Sequence, residues 1–450
     1  MKSFFVYKHL RVFLTLTTIL RAAVGFGQLT PTFDKTFSNG GQTDMGRVAI
    51  DNAGNTYFMR SLGPVNKSYS QLTLTKFTPA GVMSQATPIY LPSVSEQGTG
   101  PVSVLVGRDQ NIYVFAQYGN GSQGGWLAKY TPSLALAWTR SFSVPNYVYR
   151  ILQVYESPSG VHVAIDVNQT SGSSPFVQYL ELLVLTPDNS IASETINQDF
   201  SQPSGDYDET NQGVVFVATG VSADDKSDKW APILESTGKS VGGETVPIVR
   251  SGTLNINYQF TFVSRHADPS GAYSFIFENA VVTQKYGSNS TAMESSFAMT
   301  SFVAGDYTQP HTAGPYHGLV TDPLNVAINQ NGVAVKTQSL DGVNSTLYAF
   351  SEGGFGPFAL IGHEDLPEGF QVRSSSSHFF LVKQLAQNQV SVEEHGTSVL
   401  SPAISTISYA GSFAIDVAAN ANRLAVSTTS ITSNNIESSR VRGFSVGPTS

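Results

Sequence analysis

The chain of 450 residues contains no cysteine. Disulfides, thiolate nucleophiles and cysteine-ligated metals are therefore excluded, and the fold must be held by its core alone. Charge is scarce as well. Asp, Glu, Lys and Arg make up 13 % of the residues, about half the usual share. Ser, Thr, Gly and Asn take their place, which suits strands and turns better than long exposed helices. Lys and Arg form no cluster, which argues against nucleic acid as a partner. No stretch approaches the ~18 consecutive apolar residues that a membrane span requires. Several enzyme signatures are missing: there is no G-x-S-x-G and no H-E-x-x-H. The "TGKS" at Thr237–Ser240 has Ile233 where a phosphate-binding loop needs glycine. Gly119, Gly121 and Gly124 match G-x-G-x-x-G, but a strand pattern follows them instead of a helix.

The first residues carry a separate signal. Lys2, Lys8 and Arg11 precede the short apolar run "VFLTLTTIL", and the small residues of "AAVGFG" follow. That order predicts a secretory signal peptide over residues 1–27, cleaved near Gly27–Gln28. The expected localisation is secreted, periplasmic or cell-surface. Removing the leader leaves 21 bases against 33 acids, a formal charge of −12.

What the chain has is repetition. "VAIDNAGNTYF" (residues 48–58) is answered by "VLVGRDQNIYV" (residues 104–114). "KFTP" at Lys76–Pro79 is answered by "KYTP" at Lys129–Pro132, and Thr186–Pro187 continues the series. Alternating apolar and polar residues, broken by Asn-, Gly- and Pro-containing turns, read as short half-buried strands joined in hairpins. Further units begin near residues 211, 267, 326, 371 and 413. Four strands per ~50 residues must stack on neighbours to bury both faces, and four-stranded antiparallel units of that period are propeller blades. The expectation is an all-β fold: one β-propeller domain over residues 28–450, with about eight blades and seven as the runner-up.

The two ends complement each other. The last unit stops after its third strand, at "RVRGFSV". The segment "TFDKTFSNGG" near the start resembles the fourth strand "AWTRSFSVPN" of the second unit. The N-terminal strand, residues 32–38, is therefore expected to pair beside residues 440–446 and close the fold, which removes two free sheet edges.

Gly54-Asn55-Thr56-Tyr57 and Lys129-Tyr130-Thr131-Pro132 carry a resemblance to the bacterial exported β-propeller repeats of the SBBP type. The match is good over residues 44–195 and weak afterwards. Thr replaces the Asp that usually precedes the Pro. The resemblance implies a fold and an exported location, and no reaction.

Candidate sites follow from segments read as loops. "PNYVYR" (Pro145–Arg150), "GDYDET" (Gly205–Thr210) and "DYTQPHTAGPYHG" (Asp306–Gly318) are read as connections between blades that gather on one face. They bring forward Tyr147, Arg150, Asp206, Tyr207, Asp208, Tyr307, His311, Tyr316 and His317. Aromatic faces with a few carboxylates and donors are what a glycan or peptide site needs. On this reading the tyrosines are free stacking surfaces whose loss would leave stability nearly unchanged. A metal between His311 and His317, or calcium at the acid clusters of residues 205–210 and 224–228, has a weaker basis. Neither cluster has calcium-loop spacing, so no metal or cofactor is assigned. The expected function is a non-enzymatic exported binding or structural module, with a glycan or an extracellular protein or peptide as partner. The alternative is a secreted polysaccharide hydrolase or lyase using a carboxylate pair such as Asp206 and Asp208.

Overall fold

The computed structural model describes residues 29–38, 46–62, 71–89, 100–107, 109–118, 124–142, 147–157, 160–169, 178–185, 191–197, 202–208, 213–219, 227–230, 233–234, 239–240, 244–247, 250–251, 254–268, 271–286, 289–303, 306–320, 325–340, 344–351, 358–367, 369–375, 377–386, 389–410, 413–420, 422–431 and 437–447. From Tyr147 to Asp268 the description is of backbone pairing. The expected leader, residues 1–27, lies outside the described residues.

Strand β1 (Thr30–Ser38) is set apart from the strands that follow it. The first sheet comprises β2 (Arg47–Ile50), β3 (Thr56–Leu62), β4 (Gln71–Phe77) and β5 (Met83–Ile89). The second comprises β6 (Gly100–Val106), β7 (Ile112–Tyr118), β8 (Gly124–Tyr130) and β9 (Leu136–Phe142). The third is β10 (Tyr147–Ser157), β11 (Gly160–Gln169), β12 (Gln178–Leu185) and β13 (Ile191–Asn197). The fourth joins β14 (Gln202–Asp208) and β15 (Gly213–Thr219) to the two-residue strands β17 (Ile233–Leu234) and β18 (Lys239–Ser240). Beside it, β16 (Ser227–Trp230) and β19 (Glu244–Pro247) form a ribbon.

The fifth sheet has five strands: β20 (Arg250–Ser251), β21 (Leu254–Asp268), β22 (Gly271–Tyr286), β23 (Asn289–Val303) and β24 (Asp306–His317). The sixth is β25 (Val326–Asn329), β26 (Gly332–Gln338), β27 (Asn344–Ser351) and β28 (Ala359–Pro367). The seventh is β29 (Gln371–Ser374), β30 (Phe379–Ala386), β31 (Gln389–His395) and β32 (Ser405–Ala410). The eighth contains β33 (Phe413–Ala419), β34 (Arg423–Ile431) and β35 (Glu437–Ser445), and β1 is its fourth strand, in the order β1-β35-β34-β33. The strand pairing expected between the two ends is present, with Asp34 opposite Arg442 and Thr36 opposite Arg440.

Alternation explains why the sheets stack. On β3, Tyr57 and Met59 pack with Ile112, Val114 and Trp126 of the second sheet. Phe58, between them in sequence, points the other way and joins Ala425 and Val441 of the eighth. Successive side chains on a strand face opposite sides, so one strand serves two interfaces. Equivalent cores join the fifth sheet to the sixth around Phe277 and Tyr348, the sixth to the seventh around Leu347 and Leu381, and the seventh to the eighth around Phe380 and Phe444. Each large apolar side chain buried this way contributes roughly 1.5–3 kcal/mol.

The first strands of neighbouring sheets also touch: β2 with β6, β10 with β14, β25 with β29 and β29 with β33. Strand β33 of the eighth sheet lies against β2 of the first. Among the described residues the chain is thus all-β, built mostly of consecutive four-stranded antiparallel sheets of propeller type.

Candidate functional site

The repeated phrases build turns. Asp51, at the turn after β2, is buried. Its carboxylate accepts the Asn55 main-chain N–H at 2.8 Å, the Asn55 side-chain amide at 2.7 Å and the Tyr57 hydroxyl at 3.1 Å. In the second sheet Asp109 does the same work from a different position. It accepts Asn111 N–H at 3.0 Å, the Asn111 amide at 2.7 Å and the Tyr113 hydroxyl at 2.9 Å. Lys129, from the second "K-aromatic-T-P" phrase, lies 2.8 Å from Asp109. Burial alone would raise the Asp109 pKa, but hydrogen bonds from Lys129, Asn111 and Tyr113 hold it below the usual carboxylate range. In the first such phrase Lys76 Nζ instead donates to the Pro132 carbonyl at 2.8 Å, which ties the first sheet to the second. The motifs that looked most like a signature are therefore occupied in holding turns and sheets together.

The candidate residues separate. Tyr147 and Arg150 begin β10, while Asp206, Tyr207 and Asp208 end β14. These are the first strands of consecutive sheets, so the two groups stand at opposite ends of equivalent strands. The segment read as a loop at Gly205–Thr210 is strand as far as Asp208, with Asp206 opposite Val215 and Asp208 opposite Gly213. Pro145, Asn146, Glu209 and Thr210 lie outside the described residues.

The segment Asp306–His317 is likewise strand β24. Tyr307 lies near its start, and Tyr316 and His317 close it. Two prolines suggested a loop. They are tolerated because β24 is the edge strand of its sheet, where the outward side of the backbone needs no ladder donor. Register shifts between Phe297 and Met299 and between Ser301 and Val303 absorb the irregularity. His311 pairs with Ser301, six residues before the exposed His317 on the same strand. Among the described residues no group of three or more His, Asp or Glu is placed to hold a metal ion.

Tyr316 is not a free stacking surface. Its ring lies 5.4 Å from Phe297, 5.6 Å from Tyr348 and 5.4 Å from Phe350, centroid to centroid. This buried cluster, with Tyr316 half-buried at its edge, bridges the fifth and sixth sheets. The Tyr348 hydroxyl donates to the His317 carbonyl at 3.1 Å. The His363 ring, exposed on β28, lies 5.5 Å from that of Tyr348. Asp365, also exposed, accepts the Thr346 hydroxyl at 2.8 Å. Burial raises the pKa of both Tyr316 and Tyr348, so both are neutral phenols at physiological pH. Sequence reading found Tyr316 and His317 but not Tyr348, His363 or Asp365. The last three lie in strand segments recognised only as repeats, with nothing local to tell them from other strand residues.

A second polar cluster sits where first strands meet. Asp416 of β33 accepts the Val48 N–H at 3.0 Å, across the junction between the eighth and first sheets. Arg373 of β29 lies 3.7 Å from Asp416 and donates to the Val417 carbonyl at 3.1 Å. Burial pushes the Asp416 carboxyl up, against Arg373, the Val48 and Val417 N–H groups and the more distant Arg47. The arrangement joins the seventh, eighth and first sheets.

No protein-family model and no curated protein matches the chain, so the resemblance to SBBP-type repeats stands on its motifs alone. Solved structures with a similar course include the Dos1 propeller, with 11 % identity and a TM-score of 0.47 over 93 % of this chain and 95 % of that one. The WD40 domain of SCAP from fission yeast is similar over 94 % and 98 %, with 8 % identity and a TM-score of 0.40. The β-propeller domain of the Trilobed protease from Pyrococcus furiosus is similar over 75 % and 91 %, with 8 % identity and a TM-score of 0.38. Likeness at this level assigns no activity, ligand or partner.

Proposed function

We propose that the chain is an exported, closed β-propeller of eight blades acting as a binding module for glycan or peptide. Among the described residues eight sheets of four or five strands follow one another, beside the β16–β19 ribbon, and β2 lies against β33. Pairing of β1 with β35 supplies the last blade's fourth strand. Such a ring presents rigid surfaces whose side chains are fixed before a ligand arrives, which lowers the entropic cost of binding.

The observation that carries the binding reading is the surface at the junction of the fifth and sixth sheets. Half-buried Tyr316 and exposed His363 lie beside the Tyr348 ring, whose hydroxyl donates to the main chain of exposed His317, and exposed Asp365 follows two residues after His363 on the same strand. Aromatic faces beside imidazoles and a carboxylate match the mixed apolar and hydrogen-bonding surface of a sugar or a short peptide. The hydrolase or lyase alternative keeps Asp206 and Asp208, two residues apart on β14. No separate observation favours it.

The test is a glycan and peptide binding screen on the exported protein, with release of reducing ends from polysaccharides measured in parallel. A ligand whose affinity falls at least tenfold in His363→Ala supports the reading. Polysaccharide cleavage abolished by Asp206→Asn or Asp208→Asn, or a ligand indifferent to His363, overturns it.

A further inference from the structure

Glu394 of β31 is wholly buried, and among the described residues neither of its carboxylate oxygens has a hydrogen-bond partner. On the strand ladders it stands between Phe380 of β30 and Ser405 of β32. Phe380 belongs, with Val392, Leu424, Phe444 and Val446, to the core between the seventh and eighth sheets. One titratable side chain meets the carboxyl group. His378, in the turn between β29 and β30, is buried too, and its Nε2 lies 3.7 Å from Glu394 Oε1. That separation is beyond hydrogen-bond reach.

The other charged groups packed around this junction are turned elsewhere. Glu393 and His395, the sequence neighbours of Glu394, project to the opposite face of β31. There Glu393 lies 2.9 Å from Lys383 and 3.4 Å from His395. Arg373 shares a row with Phe380 and Glu394 on the ladders but reaches across to Asp416 at 3.7 Å and to the Val417 carbonyl at 3.1 Å. From the eighth sheet Arg440 and Arg442 bond Asp34. Arg442 also covers the ring of Tyr409, which stands opposite Val390, four residues before Glu394. Strand β32 offers only the hydroxyl of Ser405. A buried carboxylate without a cation or a donor is costly, and protonation relieves the cost. Burial raises the pKa of Glu394 and lowers that of His378, so it favours the neutral form of both.

We propose that Glu394 is a carboxylic acid at neutral pH and that its proton latches the seventh sheet to the eighth. When the proton passes to hydroxide, water forms and a carboxylate remains among Phe380, Phe444 and an uncharged imidazole. Hydrating that anion requires the junction to part. Leu29 lies in the same core, ahead of β1. It is held there by apolar packing and by its N–H, which donates to Ser405 Oγ at 3.2 Å, rather than by a strand ladder. The latch therefore governs how firmly the start of the N-terminal strand is seated.

The test compares unfolding of the full chain, wild type and Glu394→Gln, across the acid-to-neutral range. A carboxyl group with a raised folded pKa contributes stability that is complete below its unfolded value of about 4.3 and is lost as pH rises through the folded one. The ratio of wild-type to variant folding constants should therefore fall about tenfold per pH unit, or about a hundredfold between about pH 5 and about pH 7. Other titrating groups are common to both chains and cancel. A fall of less than about tenfold over that span overturns the proposal.

Should the variant not accumulate, hydrogen–deuterium exchange of wild type decides. The Ile404 N–H donates to the Glu394 carbonyl at 2.7 Å. Between about pH 7 and about pH 9, fragments carrying the Leu29 and Ile404 amides should lose protection at least about tenfold more than the fragment carrying β3, after correction for intrinsic rates. Equal loss in all fragments, or no loss at Leu29 and Ile404, overturns the latch.

Discussion

Phe33 of the N-terminal strand stacks on Phe77 of the first sheet, with ring centroids 5.6 Å apart. Phe77 closes β4, and Phe33 belongs to the eighth sheet, so this contact joins the first sheet to the eighth. The ring fits because its neighbours are small. A Cβ on Gly443 would stand 2.1 Å from Phe33 Cε1, and one on Gly81 would stand 2.0 Å from Phe33 Cβ. Gly81 also has φ of 75°, which L side chains rarely adopt.

Gly443→Ala should therefore destabilise the protein by about 1–3 kcal/mol through overpacking. Combining it with Phe33→Leu should recover part of the loss. Chemical unfolding of the single and double variants measures the coupling. Additive losses would show that Phe33 does not sense position 443.

Asp51→Ala should cost about 1–3 kcal/mol, because Tyr57 and Asn55 lose a buried acceptor. The equivalent change at the more exposed Asp109 should cost less. Thermal unfolding of the pair tests whether two differently placed aspartates perform one structural task.

Asp34 accepts hydrogen bonds from both Arg440 and Arg442 across the β1–β35 pair. Burial alone would raise its pKa, yet these arginines leave it below the ordinary aspartate value. A depressed carboxyl adds stability above its unfolded pKa of about 3.9 and loses it as pH falls through the folded value. Asp34 is partly exposed, so solvent screening limits the effect to about 1 kcal/mol. Wild type should exceed Asp34→Asn in stability at pH 7, and the gap should shrink as pH falls below about 4 and through the lower folded value. Unfolding at several pH values gives the curve, and a gap independent of pH would remove the charge from the explanation.

Tyr316→Ala should lower stability by about 1–2 kcal/mol, because the ring is packed against Phe297, Tyr348 and Phe350. A surface tyrosine used only for stacking would show almost no change. Binding and unfolding are therefore to be measured on the same variant. His363→Ala, on the exposed side of the cluster, should leave the melting temperature nearly unchanged.

Much of the fold was legible because it is local. Alternation in residues 48–58 and 104–114 and the Thr-Pro turns mark strands and hairpins directly. The likeness of residues 32–38 to a fourth strand anticipated the pairing with β35, since both halves of that pair keep their strand pattern. Fidelity faded where hairpin signals weakened: the fourth sheet has strands of only two residues at Ile233–Leu234 and Lys239–Ser240. Asp306–His317 was misread because its prolines and glycines are turn-formers in isolation, and only its edge position makes them acceptable in a strand.

The sequence by itself determined the all-β class, the repeat and the pairing of its ends, because strand periodicity and turn chemistry act over a few residues. The tertiary structure alone decided which side chains meet. Tyr316 and His363 are 47 residues apart in sequence, and Leu29 reaches Ser405 over 376. The physical reason is that a strand's alternation says which residues share a face, while the identity of the opposing face depends on which sheet stacks there. Glu394 looks like an ordinary polar strand residue in sequence; stacking the seventh sheet against the eighth makes it a buried carboxyl group beside His378.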